Sequence, residues 1–157
     1  MKNIILLFSI LSCHFIIAQS KEISGKYDKI GRFDKGVAIV HKNGLVGLIN
    51  SDGKEIIKPE YEKISGFGKD AISYTYKKGL VGLINRDGKV IIDNLYDYIG
   101  HFKDGFAIIR KNGLTGIVDK TGNIVVEIKY DKLKVEAGGI FKATNPDGTE
   151  VLVKKNQ

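Results

Sequence analysis

The chain has 157 residues, one domain's worth, and its 43% hydrophobic and 27% charged content excludes a disordered or low-complexity polypeptide. It holds 19 glycines, 2 prolines and no tryptophan, so glycine rather than proline is expected to make its turns. The net charge of +7 permits anionic partners without requiring them, and the lysines fall singly or in pairs beside turn glycines, the pattern of a solvated surface that protects strand edges; nucleic acid is not the expected partner.

Residues 1–20 read as a signal peptide. Lys2 supplies the positive start, and Ile4–Leu11 is apolar apart from Ser9. Phe15, Ile16 and Ile17 then lead to Ala18-Gln19-Ser20, with cleavage expected after Ser20 or after Ala18. An uncleaved anchor is the alternative, but Ser12, Cys13 and His14 interrupt the apolar stretch. Ile10-Leu11-Ser12-Cys13 loosely resembles a lipoprotein signal with Cys13 as the lipidated residue. Against that, Leu11 is large where a small residue is usual, and the chain after Cys13 stays apolar. The expected product is secreted or periplasmic, with no transmembrane span after signal removal; a lipid-anchored surface protein is the alternative. Cys13 is the only cysteine, so a cleaved chain has no disulfide, thiolate metal site or cysteine nucleophile.

Residues 21–157 are repetitive. Tyr27, Tyr61, Tyr96 and Tyr130 lie 34, 35 and 34 residues apart and open units 27–60, 61–95, 96–129 and 130–157. Each tyrosine is followed by an acid (Asp28, Glu62, Asp97, Asp131) and then by Ile30, Ile64, Ile99 or Leu133. Phe33, Phe67 and Phe102 come next, then short apolar runs such as Val37–Val40 and Phe106–Ile109. Gly44-Leu45-Val46-Gly47-Leu48-Ile49-Asn50 is repeated identically as Gly79 to Asn85, and Gly113 to Asp119 is a close variant. Asn43-Gly44 between two β-rich runs predicts a two-residue hairpin, and Asp52-Gly53 and Asp87-Gly88 predict a second hairpin per unit. The runs are too short for helices and rich in Val and Ile. The predicted unit is a three-stranded meander, Val37–Lys42, Leu45–Asn50 and Glu55–Lys58 in the first, joined to the next by the Tyr-Asp-x-Ile segment. The expected fold is all-β: tandem three-stranded meanders stacked in a short curved array, with a small propeller-like closure as the alternative. The last unit reaches Gln157 before a second turn and is expected to cap the stack.

These motifs resemble the WG-repeat family, whose units carry a Gly-Lys-Trp-Gly-Leu/Tyr-Ile core, a Gly-Lys turn and an Ile-Ile-Pro-x-x-Tyr-Asp exit. Gly44–Asn50 occupies the core, Asp52-Gly53-Lys54 the turn and Ile56-Ile57-Lys58-Pro59-Glu60-Tyr61 the exit. The tryptophan slot departs from the pattern and holds Val46, Val81, Thr115 and Glu150; the following glycine stands at Gly47, Gly82 and Gly116 but is Val151 in the last unit. The resemblance implies a binding or structural module without catalysis, and names no substrate.

No catalytic site, cofactor site or metal site is expected. His41 and His101 hold different places in their units, whereas a metal needs convergent ligands. The repeated acids are expected to serve their own units by accepting backbone hydrogen bonds. No phosphate-binding glycine motif or nucleophile motif occurs. The repeat tyrosines and phenylalanines are expected in the core. Tyr74, Tyr76 and Tyr98 break the repeat phase and are the candidates for an exposed aromatic patch; Lys42, Lys77, Lys78, Arg110 and Lys111 cluster beside turns and are the candidate contacts for an anionic ligand. The expected function is a non-catalytic exported binding or scaffold module of the bacterial envelope or extracellular space, its partner an unidentified protein or an anionic envelope glycan. A small envelope-associated hydrolase is the alternative, disfavoured by the lack of a His, Cys or acid constellation.

Overall fold

The computed structural model describes residues 25–154. The signal-peptide reading of residues 1–20, including Cys13, lies outside them. The described chain is all-β, with four small antiparallel sheets in sequence order. The first comprises β1 (Lys29–Ile30), β2 (Val37–Lys42), β3 (Leu45–Asn50) and β4 (Glu55–Tyr61). The second comprises β5 (Lys63–Ile64), β6 (Ile72–Lys77), β7 (Leu80–Asn85) and β8 (Val90–Tyr96). The third comprises β9 (Tyr98–Ile99), β10 (Phe106–Lys111), β11 (Leu114–Asp119) and β12 (Ile124–Tyr130). The fourth has three strands: β13 (Lys132–Val135), β14 (Ile140–Thr144) and β15 (Glu150–Lys154). Strand order within every sheet follows chain order, as in a meander. The described residues form two compact units, divided between Ile64 and Ser65.

The predicted linker turns out to be a strand junction. Tyr61, Tyr96 and Tyr130 each end the last strand of one sheet, and two residues later a short strand begins the next. The intervening acid fastens this junction. The backbone N–H of Asp97 donates to the Arg110 carbonyl at 2.9 Å, and its carboxylate accepts the N–H of Asn112 at 2.7 Å. Asp28 does the same with His41 (2.8 Å) and Asn43 (2.7 Å). Asp28 and Asp97 therefore brace the first hairpins of the first and third sheets.

That hairpin has the predicted geometry. Asn43 and Gly44 have φ of 51° and 77°, and Asn112 and Gly113 have 52° and 81°, the paired positive values that a two-residue hairpin matched to strand twist requires. The second turn is longer. Gly53 N–H donates to the Asn50 carbonyl at 2.9 Å and Asn50 N–H to the Lys54 carbonyl at 2.9 Å, while the Asn50 side-chain oxygen accepts the N–H groups of Asp52 and Lys54. Asp119 plays this part in the third sheet, accepting from the Thr121 and Asn123 N–H groups and the Thr121 hydroxyl. In the fourth sheet, Asn145–Thr149 joins β14 to β15 with the same five-residue pattern, Gly148 N–H donating to Asn145 and Asn145 N–H to Thr149.

The glycine after the tryptophan slot has a steric cause. In the first three sheets the third-to-fourth strand register slips twice: Val81 pairs with Tyr96, Leu83 with Ile92, and Ile84 with Val90. The extra residues bulge the fourth strand across the third. A Cβ on Gly82 would lie 2.6 Å from the Ile92 carbonyl oxygen and 2.9 Å from Asn94 N, too close for any side chain. In the fourth sheet β15 has no such neighbour among the described residues, and Val151 stands in the glycine's place.

Within the second unit the sheets pack face to face. Val81, Leu83 and Ile92 of the second sheet meet Ile99, Ala107, Ile109 and Val118 of the third. The opposite face of the third, with Ile117, Val125 and Val126, meets Leu133, Val135, Phe141 and Ala143 of the fourth. Both faces of β11 are buried, which is why this strand reads as a continuous apolar run rather than alternating. In the first unit Tyr27, Ala38, Val40 and Ile49 form a cluster, with Ile30 packed against it. Val46, Val81 and Thr115, which fill the tryptophan slot, are buried, as are Tyr27, Tyr61 and Tyr130; Tyr96 is half-buried. The phenylalanines depart from the core expectation: Phe33 is 45% exposed, and Phe67 and Phe102 are half-buried.

Candidate functional site

Sheet packing leaves a cleft at one edge of the third and fourth sheets. Tyr98, Gly100, His101, Lys103 and Ile108 line it from the third, and Leu133, Lys134 and Val135 from the fourth. Its volume is about 300 Å³. Tyr98 sits on the short strand β9, opposite Arg110 in the β9–β10 register, and is 47% exposed. Its ring lies over Gly100, where an added Cβ would come within 3.4 Å of the ring edge and hydroxyl. The Arg110 guanidinium carbon stands 5.7 Å from the Tyr98 ring centroid, a cation–π pair that holds the ring at the mouth of the cleft.

Tyr74 supports this wall from the second sheet. Its hydroxyl donates to the Gly100 carbonyl at 2.7 Å, and its ring meets the exposed His101 edge-on, with centroids 5.9 Å apart. Burial raises the Tyr74 phenol above the ordinary tyrosine value, and the neighbouring Tyr98 and Tyr76 phenols push it the same way. The group therefore stays protonated as a donor at neutral pH. The cleft carries two cations. Lys103 Nζ donates to the Val135 carbonyl at 3.4 Å, and Lys134 pairs with Glu136 at 2.9 Å. A smaller hollow of about 170 Å³ beside Tyr130 is lined by Glu127 and Lys129, which neutralise each other at 2.9 Å.

The structure thus gathers Tyr74, Tyr98 and Arg110 at one place, with Tyr76 close enough to act on the Tyr74 phenol. Lys77 and Lys78 lie at the β6–β7 hairpin, and Lys111 ends β10, with its ammonium 5.9 Å from the Tyr96 ring centroid. Lys42 holds the corresponding place in the first unit. Sequence reasoning missed His101, Lys103, Lys134 and the apolar floor of Leu133 and Val135. His101 and Lys103 share the repeat of Tyr98 but stand in no motif that points to a ligand, and Leu133, Lys134 and Val135 belong to the following repeat, which no local motif joins to Tyr98. Among the described residues no group of three or more His, Cys, Asp or Glu is placed to hold a metal ion, and no helix is long and apolar enough to cross a membrane.

A family model described as WG containing repeat matches residues 22–45, 47–78, 82–114 and 116–143. No curated protein matches the sequence. Among solved structures, the computationally designed Ika4 protein is 15% identical with a TM-score of 0.37, covering 81% of this chain and 89% of that one. Selenomethionine-substituted virginiamycin B lyase from Staphylococcus aureus is 16% identical with a TM-score of 0.35, covering 80% of this chain and 54% of the lyase. At such scores neither likeness bears on fold or function here.

Proposed function

This chain belongs to the WG containing repeat family, and on that premise we propose that it is a non-catalytic binding module, exported to the bacterial envelope or beyond, whose cleft takes an anionic sugar of an envelope polymer. The observation that carries this reading is the Tyr98 ring, 47% exposed and backed by Arg110 at the mouth of the apolar-floored cleft. A sugar ring presents C–H faces that pack on an aromatic plane, and its carboxylate or sulfate suits the cations at the rim. Tyr74 and Gly100 hold the wall from behind, so the site is formed before a ligand arrives and little ordering is required on binding.

Calorimetric titration with a uronate or sulfated oligosaccharide, at low salt and near physiological salt, tests the proposal. Binding should weaken with salt, as the Debye length contracts to roughly 8 Å at about 0.15 M. Tyr98→Ala should weaken it by about tenfold, the scale of one lost aromatic stacking partner. No binding at low salt, or binding indifferent to Tyr98, would contradict it.

A further inference from the structure

Gly100, Ile108 and Ile117 form a row across the middle of one face of the third sheet. The fourth sheet covers that row, with Leu133, Val135 and Phe141 packed on Ile117 and Ile108, and Ile117 is 0% exposed. The corresponding row of the fourth sheet is Lys134, Lys142 and Leu152. It lies on the face turned away from the third sheet, and Leu152 there is 72% exposed.

The charge extends beyond the row. Side chains alternate along a strand, so Lys132 shares the face of Lys134, and Lys154 that of Leu152. Half-buried Ile140 stands opposite Lys154. Positions 132, 134, 140, 142, 144, 150, 152 and 154 all point outward; four of these are lysine and one, Glu150, is an acid. We propose that this face docks on an anionic lipid bilayer, its lysines at the headgroup phosphates and Leu152 in the headgroup–acyl boundary.

Charge complementarity selects an anionic partner. Lys134 and Lys142 oppose each other directly, a like-charge cross-strand pair that is destabilising in itself and that a merely solvated end sheet does not require. Lys134 pairs with Glu136 at 2.9 Å and Lys142 with Glu150 at 2.8 Å. All four side chains are 40% exposed or more, so these pairs contribute little and exchange readily for a phosphate.

The leucine selects a bilayer over a soluble polyanion. A polyanion satisfies the lysines and leaves Leu152 in water. A bilayer takes both, because interfacial binding sums buried apolar area and attraction to anionic lipid. Lysine stems also lie along apolar surface while their ammonium groups stay at the phosphates. Three adjacent strands span only about 10 Å, so one flat patch of headgroups meets the whole face. This docking is independent of the cleft, and because Lys134 also lines the cleft the test leaves it in place.

Co-sedimentation of the full chain with phosphatidylglycerol vesicles, and with phosphatidylcholine vesicles as the neutral control, tests this. Residues 1–20 are common to the parent and all variants, so differences among them report on the folded face. The parent should bind phosphatidylglycerol at low salt, and more weakly near 0.15 M salt as screening shortens to roughly 8 Å. Lys132→Gln, Lys142→Gln and Lys154→Gln together should weaken binding roughly a hundredfold, at roughly fivefold per lysine. Leu152→Gln should weaken it roughly tenfold. All these side chains are exposed or at the surface, so the variants' circular dichroism should match the parent. Tyr98→Ala should bind vesicles as the parent does. The chain has no tryptophan, so Leu152→Trp supplies a sole reporter, and its emission should shift to the blue on phosphatidylglycerol vesicles. Equal binding to both lipids, binding unchanged by the lysine variant, or an unshifted emission overturns the proposal. So does a lysine effect without a Leu152→Gln effect, which would identify a soluble polyanion as the partner.

Discussion

Replacing Gly82 with alanine separates the two uses of glycine in this fold. The added Cβ would stand 2.6 Å from the Ile92 carbonyl oxygen, and restoring an ordinary contact of 3.4 Å requires the β8 backbone to retreat by about 0.8 Å. Overpacking of this kind costs about 1–3 kcal/mol, and loosening the adjoining β7–β8 hydrogen bonds adds about 1 kcal/mol. The expected loss is about 3 kcal/mol, or about 10 °C in melting temperature for a chain of this size. Gly113→Ala meets nothing within 4 Å but must keep a φ of 81°, so only backbone strain of about 1 kcal/mol is expected. Gly66→Ala meets neither obstacle and should change stability by less than about 0.5 kcal/mol. Thermal and urea unfolding of the three variants should rank them Gly82, Gly113, Gly66 in order of damage. A Gly82→Ala protein as stable as Gly113→Ala would refute the crossing of β8 over β7.

Asn94→Ala should cost about 2–3 kcal/mol in urea unfolding, because the Asn94 amide donates to the Thr75 and Leu80 carbonyls (2.9 and 3.0 Å) and accepts from the buried Thr75 hydroxyl; a loss below about 0.5 kcal/mol would contradict the network. At Asp119 burial acts to raise the carboxyl, but the Thr121 hydroxyl and the Asn123 and Thr121 N–H groups outweigh it and hold the group below the ordinary aspartate value. A depressed folded value means that its stabilisation is complete above the unfolded pKa of about 4 and is lost as pH falls through the lower folded value. Asp119→Asn should therefore flatten part of the acid-side decline in stability, and an unchanged pH profile would count against the turn's role. Mass spectrometry of protein exported by a bacterial host should find the N-terminus at Gln19 or Lys21, and a diacylated Cys13 would instead establish a lipid anchor.

Much of this architecture is local and therefore legible. The Asn43-Gly44 and Asn112-Gly113 turns announce themselves, because few residue pairs accept positive φ at both positions. The role of Asp28 and Asp97 also follows from their place beside a turn that needs an acceptor. What sequence reasoning missed depends on partners distant along the chain. Gly82 is visible as a repeated letter, but its cause is the bulge of a strand about ten residues later. Lys35-Gly36 and Asp104-Gly105 also have positive φ and form tight turns closed by the Asp34–Val37 and Lys103–Phe106 bridges, though neither pair stands between two apolar runs. Phe33 shows the limit of arguing burial from repetition, since it keeps the repeat phase and is still exposed. The cleft is the hardest feature to read. Tyr98 and Val135 meet only because the third sheet stacks on the fourth, and the residues that distinguish this place are those in which one repeat differs from the next.

The most direct test of the binding proposal is amide chemical-shift mapping on isotope-labelled protein titrated with an anionic oligosaccharide. The account predicts saturable shifts centred on Tyr98, Gly100, His101, Lys103 and Leu133–Val135, the residues that line the cleft. Shifts confined to the hairpin lysines Lys42, Lys77, Lys78 and Lys111, or no shifts at low salt, would contradict it.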